Sequence, residues 1–158
     1  MKKALIVFFS ASGVTKGVAE RLCKAVGGDL FEIIPAKRYT AADLDWMDKN
    51  SRSTIEMKDP SCRPPMAFEV DCAQYDVVFI GFPVWWYREP SIIDTFVENT
   101  DLSAKIIVPF YTSGSSDAGN ACENIAALAP SSIVTSATRF MANVSDEKLA
   151  SWALGYLK

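Results

Sequence analysis

Ala4-Leu5-Ile6-Val7-Phe8-Phe9 runs directly into Ser10-Ala11-Ser12-Gly13-Val14-Thr15, and that turn runs into a helix-patterned segment from Lys16 to Val26. The first stretch is continuously apolar, as a parallel strand is when helices cover both faces of its sheet. The second is rich in hydroxyls and opens a helix. A helix N-terminus carries unpaired backbone N–H groups and a partial positive charge, so it accepts a phosphate dianion without any cationic side chain. Gly13 lets the backbone come close to such a ligand. On these residues alone the turn is either a plain N-cap or a phosphate site. Two familiar phosphate motifs are excluded. A P-loop ends in Gly-Lys-Ser/Thr, whereas here Lys16 precedes Gly17 and Val18 follows; the dinucleotide fingerprint needs glycines that this turn lacks. The expected ligand is a mononucleotide.

A chain of 158 residues makes one domain, residues 1–158, that buries roughly 70% of its unfolded surface. A net charge of -3 argues against nucleic acid, which calls for a clustered basic face. No apolar run approaches the roughly 20 residues of a membrane span. Met1-Lys2-Lys3 leads into a short strand-like run without a small-residue cleavage pattern, so a cytoplasmic protein is expected. Cys23, Cys62, Cys72 and Cys122 match neither a CxxC pair nor a zinc ligand pattern and read as reduced thiols. The chain has no histidine. That removes the commonest general base, the commonest metal ligand and every histidine-based triad. Chemistry here is expected to belong to a bound cofactor, with no catalytic side chain and no metal.

Gly27-Gly28 ends the first helix and Asp29 to Pro35 alternates as an edge strand. Val77 to Phe82 and Ile106 to Phe110 are again continuously apolar and read as central strands. Ser132 to Thr135, with continuation into Ala137 to Met141, is more polar and suits the other edge. Helical spacing recurs at Ile92, Ile93, Phe96 and Val97 after Pro90, and at Leu149, Trp152, Ala153 and Tyr156. A shorter helix is expected from Asp117 to Ala129, stopped by Pro130. The charged, proline-containing segment Ala36 to Gln74 is expected to hold one helix near Asp43 to Lys49, with Trp46 packing it onto the sheet or capping the ligand. The alternation predicts an α/β fold: a doubly wound, five-stranded parallel sheet of order 2-1-3-4-5 with helices on both faces.

In such sheets ligands bind beyond the carboxyl ends of the strands, where strand order reverses. Three loops reach that point. The first is Ser10 to Thr15. The second, Pro83-Val84-Trp85-Trp86-Tyr87, sets three aromatics side by side, and flat ligands stack on such side chains; read alone, it fits a protein contact surface equally well. The third, Thr112-Ser113-Gly114-Ser115-Ser116, offers small residues and backbone donors for a heterocycle's polar rim. A phosphate at one end and a planar ring at the other describe a flavin mononucleotide. A phosphoacceptor signalling domain of the same topology is disfavoured, because Ser10 and Pro83 stand where it needs acids.

Over nearly its whole length the chain resembles the short-chain flavodoxins of anaerobic bacteria. Four ordered motifs carry the resemblance: Phe8-Phe9-Ser10-Ala11-Ser12-Gly13-Val14-Thr15; Asp43-Leu44-Asp45-Trp46 with Ser51-Arg52-Ser53; Gly81-Phe82-Pro83-Val84-Trp85-Trp86-Tyr87; and Pro109-Phe110-Tyr111-Thr112-Ser113-Gly114. The resemblance implies that Ser10, Ser12, Gly13, Val14 and Thr15 hold the FMN phosphate. It places Pro83, Val84, Trp85, Trp86 and Tyr87 around the isoalloxazine, and Thr112, Ser113, Gly114 and Ser115 at its pyrimidine side. It implies a monomeric, low-potential electron carrier whose partners are a reductase and an acceptor enzyme. Asp94, Glu98 and Asp101 then read either as an acidic docking surface for basic partners or as an ordinary solvated helix face. A flavin-dependent NAD(P)H or quinone oxidoreductase is the enzyme alternative, and a flavin-free interaction domain the other. Two positions depart from the family pattern: Val14 replaces the usual Asn, and Trp86-Tyr87-Arg88 lacks the usual glycine beside the ring.

Overall fold

A computed structural model describes residues 1–158. Its elements are β1 (Ala4–Phe8), α1 (Val14–Val26), β2 (Asp29–Glu32), α2 (Arg52–Lys58), β3 (Val77–Pro83), α3 (Ser91–Asn99), β4 (Ile106–Thr112), α4 (Ala121–Leu128), β5 (Ile133–Val134), β6 (Thr138–Arg139) and α5 (Asp146–Leu154). The parallel sheet has the expected order, β2-β1-β3-β4-β5, with β6 as a sixth strand also paired to β4. Alternation along the central strands divides the core in two. Leu5, Val7, Val78, Ile80 and Ile107 meet Ile92, Phe96 and Ile125 of α3 and α4 on one face. Ile6, Phe8, Phe79, Val108 and Phe110 meet Leu22 of α1 and Leu149 and Ala153 of α5 on the other. Burial on both faces is why these strands read as unbroken apolar runs. No helix is long and apolar enough to cross a membrane.

The last edge strand is split for a reason that lies in β4. The carbonyls of Ile107 and Tyr111 accept from Thr135 N (2.9 Å) and Phe140 N (2.9 Å) on that edge. Between them, facing the same way, stands Pro109, which has no N–H to give. The register slips by one residue there: Ile107 pairs with Val134, but Phe110 pairs with Thr138. This bulge-like break ends β5 and restarts the edge as β6. The second strand is also shorter than expected, closing at Glu32 instead of reaching Pro35.

No helix forms at Asp43 to Lys49. That stretch is a series of turns, because Asp45 Oδ1 accepts Met47 N–H (3.1 Å) and Asp48 Oδ1 accepts Asn50 N–H (2.9 Å), local bonds that compete with a helical ladder. Trp46 is 71% exposed and packs nothing onto the sheet. The helix comes later as α2, capped by Ser51, whose side chain accepts from Thr54 N (3.3 Å), and braced by the Arg52–Glu56 pair (2.9 Å). Likewise α4 starts at Ala121 instead of Asp117, because the Asp117 carboxylate accepts Gly119 N–H (2.9 Å) and Gly119 is left-handed at φ 54. All four cysteines are free.

Candidate functional site

The carboxyl ends of β1, β3 and β4 open into a cleft of about 430 Å³, within the range of small-molecule sites. Ser12 and Val14 line it from the first loop, Pro83, Val84 and Trp85 from the second, and Thr112, Ser113 and Gly114 from the third. At its first wall stands the N-terminus of α1. Gly13 caps this helix at φ 94 without a side-chain cap, and no acid lies in the first turn. The backbone N–H groups of Val14, Thr15 and Lys16 have no backbone acceptor. The N–H of Gly13 is already given to Ser10 Oγ (3.1 Å), so Ser10 shapes the turn from within and does not line the cleft. Thr15 is buried beneath the floor, its hydroxyl bonded to that of Thr112 at 2.8 Å. That bond joins the end of the first loop to the end of β4.

Of the three adjacent aromatics, only Trp85 faces the cleft. Phe9 and Tyr39 hold it edge-on, with ring centroids at 5.6 Å and 5.5 Å. Trp86 and Tyr87 project outward, 41% and 69% exposed. They form the tip of a tight hairpin turn closed by mutual backbone bonds between Trp85 and Arg88 (3.1 and 3.2 Å). Both tip residues are left-handed, at φ 48 and φ 60, as a primed turn requires. Non-glycine residues pay about 1–2 kcal/mol each for that conformation, so bonds outside the turn must hold it. Asn120 N–H donates to Tyr87 O (3.2 Å), and Gly119 lies so close that a Cβ there would sit 1.9 Å from the same oxygen. Arg88 turns inward to Met57 O (3.1 Å), Ser91 Oγ (3.4 Å) and Asp94 Oδ2 (3.4 Å).

Sequence reasoning missed the cleft's fourth wall, Arg139, Phe140, Met141 and Ala142. Arg139 clasps the third loop, giving Nε–H to Ser113 Oγ (3.1 Å) and Nη2–H to the carbonyls of Ser113 (3.0 Å) and Gly114 (2.7 Å). Its signal was a lone cation in the weak strand-like run after Ala137, just where the sheet's carboxyl edge falls. Ser115 does not line the cleft. Arg52 is tied to Lys37 O (2.7 Å) and Glu56, over the Tyr39 ring at 3.9 Å. Burial and a hydrogen bond to Glu56 push the Tyr39 hydroxyl far up, so it stays neutral.

The acidic stripe after the second loop is no stripe. Asp94 is buried at 3% exposure and paired to Arg88, and Glu98 is bonded to Arg63 Nε at 2.6 Å. Asp101 alone is exposed and unpaired. Behind the turn, Glu89 is fully buried. Its Oε1 accepts from Asn124 Nδ2 (2.9 Å). Burial first, and then the hydrogen bond and charge of Asp94, push its carboxyl up to about 8; burial raises Asp94 as well.

A family model described as Flavodoxin matches residues 3–155. The crystal structure of a candidate flavoprotein from Bacteroides eggerthii is 42% identical, covers 99% of this chain and 98% of that one, and superposes with a TM-score of 0.91. Its counterpart from Bacteroides uniformis is also 42% identical, over 97% and 98% of the two chains, at a TM-score of 0.90. A flavoprotein from Lactobacillus acidophilus in complex with FMN shares the fold at a TM-score of 0.72, with 23% identity over 97% of this chain and 99% of that one. Among curated protein sequences none matches at a significant level.

Proposed function

The chain belongs to the flavodoxin family, and on that premise we propose that it binds FMN and carries electrons at low potential between redox enzymes. One observation carries this reading: an uncapped helix N-terminus and an aromatic wall face the same cleft. Bound FMN supplies the redox chemistry, and the protein supplies binding, orientation and electrostatics. The free N–H groups of Val14, Thr15 and Lys16 hold the phosphate, helped by the helix dipole. Val14 contributes no side-chain amide, so this cradle is made by backbone. Trp85 and Val84 flank the ring and keep water from one side, and Thr112 to Gly114 meet its polar edge. An apolar wall and a nearby phosphate dianion both disfavour negative charge on the reduced ring, which lowers the potential. Trp86 and Tyr87, exposed beside the cleft, would offer the apolar contact for a partner enzyme.

Arg139 favours a second reading, an FMN-dependent NAD(P)H or quinone oxidoreductase. A guanidinium lining the cleft stabilises negative charge on a reduced ring and raises the potential. Titration of the apoprotein with FMN, followed by absorbance and protein fluorescence, tests the cofactor. Tight one-to-one binding with no turnover of NAD(P)H supports the carrier, and steady turnover of NAD(P)H or a quinone supports the enzyme. No binding makes the chain a flavin-free interaction domain on this fold.

A further inference from the structure

We propose that Glu89 and Asp94 together form a binding site for a single proton, and that this proton latches the Trp85–Arg88 turn against α3 and α4. The site follows from two oxygens. Glu89 Oε2 and Asp94 Oδ1 are both buried and neither meets a donor from any other group. The remaining oxygens are taken: Asn124 donates to Glu89 Oε1 (2.9 Å), and Arg88 reaches Asp94 Oδ2 (3.4 Å). Asn124, which holds Glu89, lines the same hollow as Asp94 and Arg88, so the two buried carboxyls are neighbours, and each bears on the other's proton. One proton on Glu89 Oε2, given to Asp94 Oδ1, satisfies both unpartnered atoms at once. Without it, two carboxylates face one another away from water, where like charges cannot both persist.

The surrounding charges set which carboxyl keeps the proton. Arg88 from the turn and Arg63 from the segment after α2 both approach Asp94 Oδ2, at 3.4 and 3.9 Å, so Asp94 is the anion. Arg63 is shared with Glu98 of α3 at 2.6 Å, and Asp59 lies within the field of both arginines. On α4, Asn124 is neutral, and the Cys122 thiol, itself raised by burial, adds no charge. Glu89 therefore meets no cation and is the group that stays neutral.

The consequence reaches the cleft through the chain. Glu89 follows the turn directly, Arg88 anchors it to Asp94, and α4, which holds Glu89 through Asn124, begins beside the Gly119-Asn120 pair that pins Tyr87 O. Losing the proton sets Glu89 against Asp94, and the strained left-handed tip is the part free to yield. Trp85, at the turn's first position, moves with it. Glu89 and Asp94 are thus positioning residues, and the proton site exists whichever ligand fills the cleft.

Infrared difference spectra of the apoprotein test the site itself. At about pH 6 the wild-type protein is expected to show a protonated-carboxyl C=O band that Glu89→Gln abolishes. Tryptophan emission of the wild type should change as pH rises from about 6 to 9, while Glu89→Gln, a neutral donor of the same shape, stays flat. Riboflavin, which has no phosphate to titrate, should bind more weakly in the wild type by up to tenfold per unit of pH above the transition, with no slope in Glu89→Gln. A second variant guards against misfolding of the first: in Asp94→Asn the amide donates to Glu89 and the facing negative charge is gone, so the band is expected to titrate away at a lower pH than in the wild type, and an unshifted band overturns the shared site. No band in the wild type, or a band that survives Glu89→Gln, overturns the proton site. Equal pH responses of wild type and Glu89→Gln overturn the latch. If riboflavin fails to bind at all, the flavin reading falls while the infrared and tryptophan results still decide this one.

Discussion

Replacing Gly119 with Ala tests how the ring-facing turn is held. Gly119 lies outside the cleft, on the loop before α4, with φ +54. A left-handed alanine costs about 1–2 kcal/mol. Its Cβ would stand 1.9 Å from Tyr87 O, where ordinary contact begins near 3.4 Å, so the turn must retreat by about 1.5 Å. That retreat breaks the Asn120 N–H to Tyr87 O bond of 3.2 Å, worth about 0.5–1.5 kcal/mol. The expected loss of stability is therefore about 2–3 kcal/mol, read from urea unfolding of the apoprotein. Because Trp85 moves with the turn while the α1 N-terminus does not, FMN and riboflavin should both weaken by about tenfold or more, roughly 1.4 kcal/mol, with their ratio unchanged. A stability loss under about 0.5 kcal/mol with unaltered flavin affinity would show that Gly119 does not pin the turn.

Four further outcomes follow from the geometry. Thr15→Val leaves the buried Thr112 hydroxyl without its partner and should cost about 1–3 kcal/mol, whereas adding Thr112→Val should recover much of the loss; additive losses in chemical denaturation would refute the pairing. Trp85→Ala should relieve the quenching of bound flavin fluorescence and Trp86→Ala should do so much less, since only Trp85 faces the cleft; the reverse order would move the ring to the rim. Arg139→Leu should lower the reduction potential of bound FMN, because it removes a positive charge that lines the cleft; an unchanged or higher potential in spectroelectrochemistry would count against a cation acting on the ring. Glu89 has a folded carboxyl raised from its ordinary value of 4.5 to about 8, so its contribution is fully present below pH 4.5 and is lost as pH climbs through about 8. Wild-type stability should fall over that window more steeply than that of Glu89→Gln, and parallel curves in urea unfolding would contradict the assignment.

Sheet order and the three-loop edge were legible because the central strands are buried on both faces, which leaves continuous apolar runs that only a covered parallel sheet explains. Helix positions in the segment from Ala36 to Gln74 were not. Asp43 to Lys49 has helical-looking spacing, yet Asp45 and Asp48 spend their side chains on turns, and hydrogen bonds of that kind leave no periodic mark. Pro109 was visible in the run Ile106 to Phe110, but its effect on the last edge strand depends on which neighbour its missing N–H would have faced.

By itself, the sequence determined the chemistry on offer: no histidine, a hydroxyl-rich helix entry and an aromatic loop on one sheet edge. Those are properties of residue type and order, which short-range physics reads directly. Tertiary structure alone decided which of those residues meet. It sank Thr15 onto Thr112, chose Trp85 over Trp86 and Tyr87, and brought Arg139 to the cleft. It also buried Glu89 and Asp94, carboxyls that any sequence reading leaves in water. Such pairings join residues far apart in the chain, and the desolvation that gives them their energies exists only once the elements have packed.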